Sequence, residues 1–242
     1  MKHRIFLAGA TGVIGRRLAP LLASLGHEVI GMSRSSLSPA PEWTRDIRLL
    51  RVDVFDADSV KQAILEARPD VLIHQLTDLS RLSDPAAGEE AIRRNARVRI
   101  EGTRNLIAGA LAANVQRIVA QSIAWAYAPG TLPHSEAAPL DVAAAAPRSI
   151  TVKGVVGLED LVLHSPPIEG FVLRYGQLYG PDTGRDAPDG TAPLHVDAAA
   201  IAACLAVDRG NPGPFNIADS GGSVLTTKAR TELGWSDLMR LR

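Results

Sequence analysis

Three glycines, Gly9-x-x-Gly12-x-x-Gly15, fall between a short apolar run, Arg4 to Ala8, and a stretch of helical apolar spacing. Glycines in that pattern suit one task. The first permits a sharp strand-to-helix turn, the second lets backbone approach a pyrophosphate, and the third lets helix and strand pack closely. The following helix then aims free N–H groups and a positive dipole end at the phosphates. Gly9, Thr11, Gly12, Val13, Ile14 and Gly15 are therefore expected to hold a dinucleotide.

The end of the second strand selects between dinucleotides. An acidic residue there would hold a free ribose 2′-hydroxyl. Gly31-Met-Ser33-Arg34-Ser35 has no carboxylate. Arg34 could pair bidentately with a 2′-phosphate, and Ser33 could add a hydrogen bond. NADP(H) is expected in preference to NAD(H).

Other residues could move protons. Ser122 and Tyr127 follow one another in Gln121-Ser122-Ile-Ala-Trp125-Ala-Tyr127. Thr151 and Lys153 stand in Thr151-Val-Lys153-Gly-Val155-Val-Gly-Leu-Glu159, and Gln75, Tyr175 and His195 complete the polar inventory. A tyrosine beside a nicotinamide acts as an acid when its pKa is lowered. His134 and Glu136 lie in a loop and are read as solvated.

In order along the chain, Gly9-x-x-Gly12-x-x-Gly15, Asp53-Val54, Val71-Leu-Ile-His74, Asn95, Gly102-Thr103-x-Asn105, Ser122, Arg174, Tyr179-Gly-Pro181 and His195-Val-Asp197 follow one another. Taken together they resemble the extended short-chain dehydrogenase/reductase superfamily, in its NAD-dependent epimerase/dehydratase branch. The resemblance implies that Asp53 and Val54 border the adenine. It implies that His74, Gln75 and Leu76 line the path to the nicotinamide ribose, and that Tyr179-Gly-Pro loops over the cofactor end. Asp197 reads equally as a helix cap.

The resemblance also implies a catalytic Ser or Thr and a Tyr followed four residues later by Lys. One helical turn apart, such a pair shares a face. Anchored on Glu159, this chain has Val155 at the lysine place and Thr151 at the tyrosine place. Lys153 lies two residues off, roughly 200° around the helix. Anchored on Tyr127, Ile123 takes the serine place, and a slip of one residue would make Ser122 the hydrogen-bond donor. Two readings follow: an NADP-linked reductase, epimerase or dehydratase with an altered proton-transfer site, or a non-catalytic NADP(H)-binding sensor or partner protein. The short stretch from Pro181 to His195 suits a small carbonyl or hydroxyl substrate better than a nucleotide sugar.

These residues need a frame, and the frame is legible as alternation. Short apolar runs at Arg4–Ala8, Glu28–Met32, Ile47–Val52, Val71–His74, Arg117–Gln121 and Gly170–Arg174 read as strands. Helical patterns separate them at Val13–Leu25, Asp56–Arg68, Ala86–Asn114 and Thr151–His164. Such alternation predicts an α/β fold, a Rossmann-type doubly wound parallel sheet. Residues 1–242 read as a single NAD(P)-binding domain. Residues 181–242 read as a small substrate-side lobe that does not stand alone, with helix at Asp197–Val207, strand at Phe215–Ile217 and a last helix near Gly234.

The chain has 242 residues, 26 basic and 26 acidic side chains and one cysteine, Cys204. Zero formal charge argues against nucleic-acid or anionic-membrane partners. Arg93, Arg94, Arg97, Arg99 and Arg104 cluster nonetheless, and read as a solvated helix face. One cysteine excludes an internal disulfide and a cysteine metal cluster, and fits a reducing cytoplasm. No apolar run reaches the length of a membrane span, and no metal site is expected. The helices near 90–114 and 151–164, with small residues at Ala108, Ala110, Ala112, Ala113, Gly154 and Gly157, suit a homodimer interface.

Overall fold

The computed structural model describes residues 1–35, 39–79 and 88–241. Seven strands form one parallel sheet: β1 (Arg4–Ala8), β2 (Glu28–Ser33), β3 (Ile47–Arg51), β4 (Val71–His74), β5 (Arg117–Ile123), β6 (Glu169–Tyr175) and, after a two-stranded excursion, β9 (Gly213–Ile217). The excursion pairs β7 (Gln177–Tyr179) with β8 (Pro193–His195). Strand order in the main sheet is β3-β2-β1-β4-β5-β6-β9. The chain winds outward from β1 to β3, then returns to build the other half from β4. The crevice between the carboxyl ends of β1 and β4 is thus the switch point, where ligands of open α/β sheets bind.

Side chains alternate across the sheet because strand residues point to opposite faces. Ile5 and Leu7 of β1, Val71 and Ile73 of β4, and Phe171 and Leu173 of β6 enter one core. Phe6 and Ala8, Leu72, and Val172 enter the other. Helix α1 (Gly15–Ser24) covers the first face with Leu18 and Leu22, joined by α6 (Val196–Leu205) with its buried alanines. Helices α2 (Ala57–Ala67), α4 (Thr103–Ala112) and α5 (Arg148–Leu163) cover the second through Val60, Ile64, Leu106 and Leu158. Burying each such side chain contributes about 1.5–3 kcal/mol over leaving it in water.

The expected helix from Ala86 to Asn114 is three pieces, and Ala86 and Ala87 lie outside the described residues. Helix α3 (Gly88–Arg97) runs into a π turn, Val98–Gly102, and then α4. Helix α5 starts three residues before the expected Thr151. Arg148 donates to the carbonyls of Trp125 and Tyr127 at 3.0 Å each, which ties its first turn to the loop after β5.

Beyond Pro181 the chain rejoins the main body. β9 lies beside β6 as the seventh strand, and α6 packs on α1. The last expected helix is a π turn, Ala229–Leu233, closed by Gly234 at φ 68°. Trp235 is buried behind it and donates its indole N–H to Ala198 O at 2.9 Å. Asp197 is not the cap of α6. His195 is, accepting the Asp197 N–H on Nδ1 at 3.2 Å, while the Asp197 carboxylate takes Arg17 Nε at 3.1 Å.

The small residues of the helices near 90–114 and 151–164 mostly serve internal packing. A Cβ on Gly154 would lie 3.0 Å from Ala96 Cα and Cβ, and one on Gly157 would lie 2.9 Å from Ile100 Cγ1. Ala110 is buried in the second core.

Candidate functional site

At the switch point the backbone is as tight as the glycine spacing demands. Gly9 has φ +91°, and a Cβ there would sit 2.8 Å from the Gln75 carbonyl carbon and oxygen. A Cβ on Gly15 would sit 2.1 Å from Gly9 O. Only glycine fits either place. Ile14, before α1, makes no side-chain cap, and the first turn of α1 carries no acidic residue. The N–H groups of Arg16, Arg17 and Leu18 donate to the carbonyls of Gly12 and Ile14 at 2.9–3.0 Å, so it is the dipole of α1 that this start offers to an external anion. Beside them opens a cavity of about 710 Å³, running from Gly12, Val13 and Ile14 past Gln75 to Trp125, Thr151 and Tyr175. A backbone cradle closed to any Cβ, an uncapped helix start and an adjoining long cavity fit a nicotinamide dinucleotide.

The remaining cofactor candidates stand around this cradle. Thr11 Oγ1 lies 3.1 Å from Ser33 Oγ, which in turn donates to Ser35 O at 2.9 Å. Arg34 is exposed and reaches toward Asp78 at 4.0 Å. Asp53 is exposed after β3 and accepts the Phe55 N–H at 3.0 Å, while Val54 is buried and its carbonyl accepts Asn105 Nδ2 at 2.8 Å. His74 is buried, accepts the Leu76 N–H on Nδ1 at 3.2 Å, and so presents its Nε2 proton to Thr103 Oγ1 at 3.0 Å. Burial, with Arg99 nearby, pushes His74 down to about 4, so it is neutral near pH 7. Gln75 is buried on the cavity wall, and its Oε1 has no hydrogen-bond partner.

The catalytic candidates are scattered, and the scatter is informative. Thr151 lines the cavity. Val155, one turn on, is fully buried against Ile123 and Ala126. Glu159, a further turn on, is buried and accepts Ser122 Oγ at 2.6 Å and Arg174 Nε at 3.0 Å, with Arg174 Nη2 on its other oxygen at 2.6 Å. Positions four apart share a helix face, so the three stand in the order a Tyr, Lys and Glu would, with only the Glu retained.

Two candidates are corrected. Lys153 is exposed in an outer groove with Arg93, Arg97 and Ile100, not on the cavity. A two-residue offset on a helix leads to the opposite side. Tyr127 is enclosed away from the cavity, donating to Asn216 Oδ1 at 2.6 Å and accepting from Arg174 Nη1 at 2.8 Å. Burial raises its pKa, the reverse of what an acid needs. Ser122 borders the cavity, but its proton is committed to Glu159. Tyr175 also borders it, donates to Ala199 O at 3.1 Å, and is pushed well above the ordinary tyrosine value by burial.

The loop pair His134 and Glu136 is not loose. His134 stacks on Tyr127, and Glu136 Oε1 accepts the Asn216 N–H at 2.9 Å. Arg99, grouped by sequence with the solvated arginines, is 4% exposed on the cavity wall. The reading of these arginines as one solvated face is corrected there, although Arg93, Arg97 and Arg104 are exposed. The signal missed was phase. The π turn breaks the helical period on which a face assignment depends.

Comparison with known proteins now has geometry to meet. The model of the NAD dependent epimerase/dehydratase family matches residues 5–213. The chain belongs to this family. A 3-diazoavenalumate denitrifying reductase of a Streptomyces species is 43% identical over 237 residues, covering 89% of this chain and 76% of the relative. A UDP-N-acetyl-alpha-D-glucosaminuronate decarboxylase of Bacillus cytotoxicus is 26% identical over 206 residues, covering 82% and 62%. Among solved structures, the Bordetella bronchiseptica enzyme WbmG in complex with NAD and UDP superposes with a TM-score of 0.75 at 18% identity, covering 100% of this chain and 91% of that one. UDP-glucose 4-epimerase of Thermotoga maritima with UDP-glucose gives 0.72 at 18%, covering 96% and 93%. These two structures share the Rossmann-type fold. As a member of the epimerase/dehydratase family with enzymes for relatives, the chain is an enzyme of the short-chain dehydrogenase/reductase type. A purely non-catalytic role is not favoured. Among the described residues, no helix is long and apolar enough to cross a membrane.

Proposed function

We propose that this protein is an NADPH-dependent reductase that removes a diazo group from a small carboxylate substrate. The observation that carries the reading is the helix face Thr151–Val155–Glu159, where valine is buried at the lysine place and no tyrosine is present. When bound, the reduced nicotinamide supplies a hydride. Adding hydride to a carbonyl leaves an alkoxide that needs a proton, which is the task of a Tyr–Lys pair. A diazonium already carries the positive charge. R–N2⁺ plus hydride gives R–H and N2, with atoms, charge and electrons balanced and no proton drawn from the protein. The 43% identical relative is named as a denitrifying reductase of a diazo compound, which supports the same reading.

This chain's residues have corresponding work. Gly9, Thr11, Gly12, Val13, Ile14 and Gly15 hold the pyrophosphate, Ser33 and Arg34 take the 2′-phosphate, and Asp53 and Val54 border the adenine. His74, Gln75 and Leu76 line the ribose path. Ile123 and Val155 keep water from the reacting end, and Thr151 offers a hydroxyl beside it. Residues 181–242 act as the substrate side of one continuous domain, a reading supported by Thr183 on the cavity wall and by β9 in the sheet. We assign a homodimer to the helices near 90–114 and 151–164, supported by the open groove that Arg93, Arg97, Ile100 and Lys153 line between them. A lone cysteine supports a cytoplasmic location.

The test is reduced-nicotinamide oxidation with para-carboxybenzenediazonium and, in parallel, a panel of aldehydes and ketones. The expected result is benzoate formed one for one with NADPH consumed. Turnover of carbonyls without turnover of the diazonium would overturn the reading. Arg34→Ser is expected to weaken NADPH by about tenfold while leaving NADH unchanged, as loss of a charge-assisted bidentate contact would.

A further inference from the structure

Arg99 sits on the π turn Val98–Gly102. Such turns shift side chains out of α-helical phase and recur at functional sites. Here the shift carries a cation indoors. Arg99 borders the cavity of about 710 Å³, and its Nη1 is buried with no hydrogen-bond partner. The carboxylate that acts on it, Glu159, is already held by both Arg174 and Ser122. Burial pushes the Arg99 guanidinium down to about 10, so it remains a cation at neutral pH. A buried charge without a close partner is costly, and an arriving anion would offset that cost.

The walls next to Arg99 describe the rest of the ligand. Ile92, Ile123 and Trp125 line the same cavity, and they continue, with Thr151 and Pro147, into an adjoining recess of about 270 Å³. An apolar body with one anionic end fits this combination of the apolar wall of Ile92, Ile123 and Trp125 and the Arg99 guanidinium beside it; Arg16 lies on the same cavity beside the glycine turn. The dinucleotide's own phosphates have other partners, namely the glycine turn before α1 and the segment after β2.

We propose that Arg99 binds the carboxylate of the substrate, with the apolar body of that molecule lying against Ile92, Ile123 and Trp125. The proposal rests on the reductase reading for which molecule enters the cavity, but its test does not depend on turnover. Calorimetry on the NADP⁺-saturated protein compares benzoate with benzamide, which has the same shape and no charge. Wild type is expected to bind benzoate at least about tenfold more tightly than benzamide. Arg99→Gln is expected to abolish that preference with NADP⁺ affinity changed less than about twofold, and Arg99→Lys to keep part of it, as a point charge without the fork.

Equal binding of benzoate and benzamide by wild type would overturn the proposal, and needs no variant to fold. So would a preference that survives Arg99→Gln, or an Arg99→Gln defect confined to NADP⁺. Benzoate preference without diazonium turnover would leave the anion site standing and remove the reductase reading alone.

Discussion

A single substitution of type, valine for lysine, changes what the α5 face can do. Val155 is sealed against Ile123 and Ala126, so no ammonium stands where the fold would otherwise hold one. Lys153 does not replace it. Lys153→Ala is therefore expected to leave the turnover number within about twofold of wild type, since a solvated side chain away from the site contributes little; steady-state kinetics checks this. His74 is the other residue whose chemistry is displaced by its surroundings. Its folded pKa of about 4 lies below the ordinary 6.5. Between those values the unfolded chain binds the extra proton, so stability is full above pH 6.5 and is lost as pH falls toward 4. The loss is at most about 3 kcal/mol. Urea unfolding at pH 7 and pH 4.5 is expected to show a larger acid loss for wild type than for His74→Gln, and an equal loss would contradict the neutral buried assignment.

Elements hold the site through one buried network. Glu159 on α5, Ser122 on β5 and Arg174 on β6 bind one another, and Arg174 passes the connection to Tyr127 and, through it, to Asn216 on β9. The Glu159–Arg174 pair is 6% exposed on each side. Removing one member of such a pair strands the other, at a cost of about 3–5 kcal/mol. Glu159→Ala is expected to lower stability by that order in denaturant titration, and Glu159→Gln by less, because it keeps acceptors for the serine and one arginine nitrogen. The cradle is stricter. Gly15→Ala would force a methyl within 2.1 Å of Gly9 O, so the turn must open, and dinucleotide binding is expected to be lost even where circular dichroism still reports a folded chain.

For the whole molecule the decisive fact is that the last sixty residues are structural as well as peripheral to a ligand. β9 covers the edge of β6, α6 covers one face of the sheet, and Trp235 is anchored to α6. A chain ending at Asp208 would expose the β6 edge and uncover Phe171 and Leu173. Exposed apolar edges aggregate, so this truncation is expected to be insoluble or to lack a cooperative melting transition. Much of this architecture was legible beforehand. Strand and helix patterns located all seven sheet strands and the main helices to within a few residues, because burial on both faces of a parallel sheet leaves apolar runs; the strand at Phe215–Ile217 reads in sequence as part of the substrate-side lobe, whereas it joins the sheet beside β6.

The sequence by itself determined the glycine cradle, the doubly wound sheet and the absence of a lysine at position 155, since each follows from local spacing in turn, strand or helix. Only the tertiary structure decided that Tyr127 is committed to Arg174, that β9 completes the sheet, and that Arg99 faces inward. The first two depend on partners more than 40 residues distant in the chain. The third depends on a π turn that breaks the helical phase, and charge counted along a sequence carries no information about which side of that break a guanidinium falls.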